Sequence, residues 1–111
     1  METVQQIIVS EDFSDKPGAR NITDGENSGE LFLNELLKPK FDAAVADDGL
    51  LYVDLDNTWG YASSFVSGSF GELSKLYGPD LLRKHLTFKS EDSPVALQKI
   101  FKTIDDPNSR P

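Results

Sequence analysis

Hydrophobic and polar positions follow two rhythms along this chain, and the change from one to the other marks its central elements. From Leu50 to Leu55 apolar residues run almost without interruption over too few positions for a surface helix, and the run stops at the turn formers Asp56, Asn57, Thr58 and Gly60. That pattern predicts a buried central strand. From Ser64 onward the apolar positions Phe65, Val66, Phe70, Leu73, Leu76 and Tyr77 recur at helical spacing, and Gly78-Pro79 supplies a stop. The turn between them therefore lies at the carboxyl end of a strand and the amino end of a helix, the place where open α/β sheets collect ligands and chemistry.

The remaining segments fall into place around this unit. Val4 to Val9 reads as a first strand, and Lys16-Pro17-Gly18 as loop. Asn21, Ile22 and Thr23 suffice for a short strand at a sheet edge. Ser28 can cap a helix whose stripe is Phe32, Leu33, Leu36 and Leu37, with Glu30 in its first turn. Pro39 disfavours helical geometry at Lys38, so the helix is expected to stop there or to restart with Pro39, and to end at Asp47-Asp48-Gly49. Pro79 to Lys84 reads as a short helical turn and Leu86 to Phe88 as a strand. Ser93 caps a last helix with Pro94 at its first position and Leu97, Ile100, Phe101 and Ile104 on one face. The predicted order is ββαβαβα: an α/β fold with a mixed sheet of about four strands and helices packed on it. Residues 1–107 form one domain in this reading, and residues 108–111 a frayed tail.

Composition narrows the chemistry. The chain has 111 residues and no cysteine, which removes disulfides, thiolate zinc sites and a cysteine nucleophile, and its single histidine, His85, cannot make a histidine-rich metal site. Oxygen ligands for magnesium or calcium stay open, and no cofactor or metal centre is expected. No stretch approaches a membrane span, and the opening residues lack the basic start and long apolar run of a signal peptide, so a cytoplasmic location away from membranes is expected. A net charge of -8 argues against direct nucleic-acid binding. Residues 1–56 hold 13 acidic and 4 basic side chains, whereas residues 57–111 hold 6 and 7, so the acidity lies in the first half. Such a face is a solvated surface or a docking face for a basic partner, and an inhibitor that mimics nucleic acid is one form of the latter.

Val53-Asp54-Leu55-Asp56-Asn57-Thr58 resembles the first motif of haloacid-dehalogenase-type phosphatases, an apolar strand followed by Asp-x-Asp-x-Thr. The resemblance implies Asp54 as nucleophile, Asp56 as general acid and base, and magnesium against the phosphate. Such enzymes need further parallel strands to deliver more site residues, whereas here the motif stands mid-chain with one later strand. The alternative is that Asp56, Asn57 and Thr58 build the turn through side-chain to backbone hydrogen bonds, with Asp54 at the strand end.

Ala62-Ser63-Ser64-Phe65 opens the next helix, where either serine can cap, and a phosphate on a serine at a helix start would meet free N–H groups. Ser67, Gly68, Ser69, Gly71 and Ser74 add small residues that signal close approach of another element. The spaced pattern of Arg20, Asp24-Gly25, Ser28-Gly29-Glu30-x-Phe32, Lys38-Pro39, Val53-Asp54-Leu55-Asp56, Ser63-Ser64-Phe65 and Phe70-Gly71-x-Leu73 resembles the STAS-like domains of unknown function. The resemblance runs from about residue 13 to 88 and implies a STAS-type fold that works by binding partner proteins, such as a serine kinase with a histidine-kinase-like ATPase fold. In the anti-sigma antagonist branch the helix-start motif Asp-Ser-Ser-Gly carries a phosphorylated serine, which corresponds to Ser63 here; Ala62 replaces the aspartate and Phe65 the glycine. Arg20 reads as a loop salt bridge.

Together these readings lead to an expectation of a non-catalytic regulatory module. Its partner-binding residues would be Trp59, Tyr61, Ser63, Ser64 and Ser67, with Phe65 beside them as a third aromatic anchor. The alternatives are the magnesium phosphatase using Asp54 and Asp56 and the acidic nucleic-acid mimic.

Overall fold

A computed structural model describes residues 1–108. Three strands, β1 (Thr3–Ile8), β2 (Leu50–Asp54) and β3 (Leu86–Lys89), form one sheet in the order β1-β2-β3. Both pairings are parallel, with Ile7 beside Val53 and Val53 beside Phe88. The sheet is thus all-parallel with three strands, where a mixed sheet of about four was expected. The missing strand is Asn21 to Thr23. Its residues turn instead, with Ile22–Asp24 as a single 3-10 turn. The Asn21 amide side chain donates to Asp24 Oδ2 at 3.0 Å, and the Ile22 N–H donates to Glu30 Oε1 at 2.8 Å. With its polar groups committed locally, the segment has no ladder to offer.

Between the strands run two long helical rods. α1 comprises α-helical Gly29–Phe32, a π-helical segment Leu33–Leu37 and α-helical Lys38–Ala46. It neither stops nor restarts at Pro39: Lys38 keeps helical angles, and its N–H donates to the Leu33 carbonyl, five residues back. A proline ring in a regular helix strikes the carbonyl four residues earlier, and one wide turn just before it makes room. α2 repeats the device, with Ser63–Val66, a π-helical segment Ser67–Gly71 and Glu72–Tyr77, and ends where Gly78 takes φ 89°. Then follow α3 (Pro79–His85) and α4 (Pro94–Asp105). The Ser28 and Ser93 hydroxyls cap α1 and α4 by accepting from Leu31 N–H at 3.1 Å and Ala96 N–H at 3.3 Å.

The helices cover one face of the sheet. Ile7, Leu51, Val53 and Leu86 are buried there with Phe32, Leu37, Phe41, Phe65, Phe70 and Ile100 in one contiguous core. On the other face the rows Gln6-Tyr52-Thr87 and Ile8-Asp54-Lys89 stay partly open to solvent. A line of edge-to-face and tilted rings, Phe13, Phe32, Phe70, Phe88 and Phe101, crosses the core with centroids 5.2 to 6.1 Å apart. Such pairs add about 0.5–1.5 kcal/mol each to their burial. His85 is buried too, its Nδ1 2.8 Å from the Gly49 carbonyl, a structural hydrogen bond. At the outer edge of the sheet, Asp12 accepts from Ile8 N–H and Lys40 donates to the Gln6 carbonyl, which occupies backbone groups that would otherwise template another strand. The tail read as frayed lies, beyond Asn108, outside the described residues.

The small residues of α2 serve close packing. A Cβ at Gly29 would collide with the Phe65 carbonyl and lie 3.1 Å from the Gly68 carbonyl carbon, so the α1 and α2 backbones touch there, while a Cβ at Gly68 would lie 2.5 Å from the carbonyl oxygen of Arg20 in the loop before α1. Ser74 donates to the Ile104 carbonyl at 2.6 Å, tying α2 to the end of α4. Gly68→Ala is therefore expected to cost about 1–3 kcal/mol, read as a lower urea midpoint; an unchanged midpoint would mean that α2 packs on the Arg20 loop less closely than described.

Candidate functional site

The corner after β2 is built by its acids. The Asp54 Oδ1 accepts from the Asp56 N–H at 3.0 Å, a carboxylate bonding two residues ahead as turn-forming aspartates do. Asp56 is only 4% exposed, and its Oδ1 accepts from the Asp92 N–H at 2.9 Å. Asp92 returns the bond: its Oδ2 accepts from the Asn57 N–H at 2.9 Å, while Asn57 sits in the left-handed region at φ 64°. The loops after β2 and β3 are thus stapled to each other by two reciprocal carboxylate to amide bonds, and the Leu55 N–H donates to the Lys89 carbonyl at 2.8 Å.

Lys89, the last residue of β3, balances the charge. Its ammonium lies 3.2 Å from Glu91, 3.7 Å from Asp56 and 3.9 Å from Asp54. The hydrogen bond to Glu91, followed by the charge of Asp54, holds its pKa above the ordinary lysine value. Among the described residues no three His, Asp or Glu side chains group as metal ligands. Asp54 and Asp56 converge on an ammonium and on backbone amides.

The rest of the corner divides by exposure. Trp59 is 82% exposed, with its backbone N–H donating to the Asp15 carbonyl at 2.8 Å and the Lys16 ammonium 5.7 Å from its ring centroid. Tyr61 and Phe65, expected beside it at the surface, are buried at 6% and 0%. The Tyr61 hydroxyl donates to the Leu55 carbonyl at 2.9 Å and its ring tilts against Phe65, so both brace the corner from beneath. Lys99 of α4 donates to the Tyr61 carbonyl at 2.7 Å. Next to the corner, Leu55, Thr58, Tyr61, Asp92, Val95 and Lys99 help to line a cleft of about 200 Å³; Asp54 and Asp56 do not.

Of the serines, Ser63 is exposed while Ser64 and Ser67 are half-buried. Neither Ser63 nor Ser64 caps the helix as expected. Ala62, at ψ 148°, is the cap position and makes no side-chain bond, which puts both serines inside the first turn. Arg20 does not form the expected salt bridge among the described residues; its Nε is buried without a hydrogen-bond partner while its carbonyl accepts from the Glu30 N–H at 2.9 Å. The sequence reading missed Lys89, Asp92 and Lys99. The first two lie in or just after the last strand, and applying the strand-end rule to β3 as well as β2 would have found them.

Fold and corner together define a small α/β domain with a one-sided parallel sheet and its polar groups gathered at the carboxyl ends of the strands. A family profile described as a STAS-like domain of unknown function matches residues 28–96, from the cap of α1 to the first turn of α4, and the chain belongs to that family. Comparison with curated proteins found no match, and comparison with solved structures found none either. No helix among the described residues is long and apolar enough to cross a membrane.

The buried Tyr61 hydroxyl makes a pH prediction. Burial raises its pKa above the ordinary phenol value of 10.0. A raised folded-state value means that its contribution is complete below pH 10.0 and is lost as pH rises further. Tyr61→Phe is expected to cost about 1 kcal/mol at neutral pH through the lost hydrogen bond, and to lose stability less steeply than the parent above the phenol value. Parallel stability curves in urea for the two proteins across the alkaline range would contradict this.

Proposed function

We propose that this domain is a non-catalytic, cytoplasmic regulatory module that binds a partner protein through the corner from Asn57 to Ser64. The observation that carries the reading is Trp59, a large aromatic side chain left 82% exposed on a loop whose backbone is hydrogen-bonded on both sides. Exposed tryptophan on a fixed loop has the character of an interface anchor, since its apolar area is free and little entropy is lost on binding. The acids support the same reading. A nucleophilic Asp54 and an acid-base Asp56 would need open access to substrate, yet Asp56 is buried and both spend oxygens on backbone amides. The STAS-like membership suggests the kind of partner, a serine kinase with a histidine-kinase-like ATPase fold.

Ser63 favours a phospho-switch as an extension of this reading. It is exposed in the first helical turn, and among the described residues its hydroxyl makes no hydrogen bond that a phosphate would have to break. A phosphate there would add negative charge beside the docking loop and release the partner.

The experiment is capture of partners from the source cell, followed by mass spectrometry, with wild-type, Trp59→Ala and Ser63→Glu proteins of matched circular dichroism. The expected result is a specific partner lost with Trp59→Ala and reduced with Ser63→Glu. Equal capture by all three would overturn the surface, and magnesium-dependent hydrolysis of p-nitrophenyl phosphate abolished by Asp54→Asn would overturn the non-catalytic reading.

A further inference from the structure

The cleft beside the corner has apolar side chains in its lining, and Trp59 stands next to it in the chain. Leu55, Tyr61 and Ala96 line it from within; Thr58 and Gly60, which flank Trp59, line one wall, and Val95 of the first turn of α4 lines the other. Trp59 and Val95 are 82% and 64% exposed. Burying side chains of this size is worth about 1.5–3 kcal/mol each, so Val95 in the cleft and Trp59, whose ring lies next to Lys16 of the loop after β1, hold binding free energy that the fold itself does not use. At about 200 Å³ the cleft has room for one medium apolar side chain.

Charge selects what enters. Within the cleft lining Asp92 and Lys99 offset each other, Lys99 donating to the Tyr61 carbonyl, whereas the loops after the three strands, residues 9–16, 54–61 and 89–93, carry seven carboxylates against two lysines. One of the lysines, Lys89, is already shared among Asp54, Asp56 and Glu91. The other, Lys16, stands over the Trp59 ring, which shows that this indole face accepts a cation, and it does so from an exposed loop position where it can be displaced. An incoming basic group would gain the ring and the surrounding negative potential; an acidic one would be repelled.

We propose that the cleft and Trp59 together bind a short segment of a partner protein in which a medium apolar side chain adjoins an arginine or lysine. The apolar side chain enters between Thr58–Tyr61 and Val95, and the cation takes the place of Lys16 over the indole. This rests on the corner being a partner-binding surface and adds the chemistry of the segment it takes.

The test is selection of a random dodecapeptide phage library on the full chain, followed by titration of the best synthetic peptide using the fluorescence of Trp59, the chain's single tryptophan. The expected result is enrichment of Leu, Ile or Val next to Arg or Lys, a fluorescence change on binding, about tenfold weaker binding to Val95→Asp, and weaker binding again in about 0.5 M salt. Enrichment of acidic peptides, no enrichment, or equal affinity for Val95→Asp and at both salt concentrations would overturn the proposal. Capture of the cellular partner that depends on Trp59 but not on Val95 would overturn it while leaving the corner as the docking surface, whereas capture indifferent to Trp59 would overturn both.

Discussion

The buried carboxylate of Asp56 is the constraint from which the polar end of this fold follows. A charge taken from water without partners costs several kcal/mol, and it stays in a structure only where hydrogen bonds and an opposite charge replace the lost hydration. Asp56 finds both at the end of β3 and in the loop after it, the ammonium of Lys89 and an amide from Asp92. The exchange joins the ends of two strands that are distant in sequence, and the reciprocal bond from Asn57 to Asp92 closes it. With the corner fixed in this way, Tyr61 is drawn under it and Trp59 is left outside. The arrangement of acids, hydroxyls and aromatics is thus one structure in which the acids hold the backbone and the indole faces the solvent.

The apolar end is organised by close contact. Gly29 and Gly68 let two helical rods touch, the π-helical segments let each rod keep its buried side chains in line, and the ring series from Phe13 to Phe101 fills the space between helices and sheet. Leu33, Leu37 and Phe41 remain buried on either side of Pro39 because the wide turn absorbs the proline without turning the stripe away from the core. Helices on one face only leave the tyrosine and aspartate of β2 partly open, which is unusual for a parallel sheet.

Much of this was legible in the sequence wherever a single local signal decided the outcome. The apolar run from Leu50 to Leu55, the caps at Ser28 and Ser93, the stop at Gly78 and the small residues of α2 each meant in the structure what their chemistry implied. Reading failed where a distant partner decided. Asn21 to Thr23 has the residue types of a strand, but Glu30 takes the amide that a ladder would need. Pro39 argues locally for a helix break, yet the packing of α1 on the sheet carries the helix through. Ser63 and Ser64 missed the cap position because Ala62 is the residue that takes extended geometry. In the site, Asp54 and Asp56 stood out at once, whereas Lys89 and Asp92 acquire a role only when β3 is paired beside β2. Family membership was readable because it rests on motifs spread along the chain and not on any one of these local choices.

The most direct test of the account is the equilibrium stability of Asp56→Ala. If the carboxylate holds the corner, its removal orphans the Asp92 amide and leaves Lys89 short of a partner, and unfolding in urea at neutral pH should show a loss of about 1–3 kcal/mol. A carboxylate kept for chemistry is commonly held at a cost to the fold, and removing it relieves that cost. Unchanged or increased stability of Asp56→Ala would contradict the account.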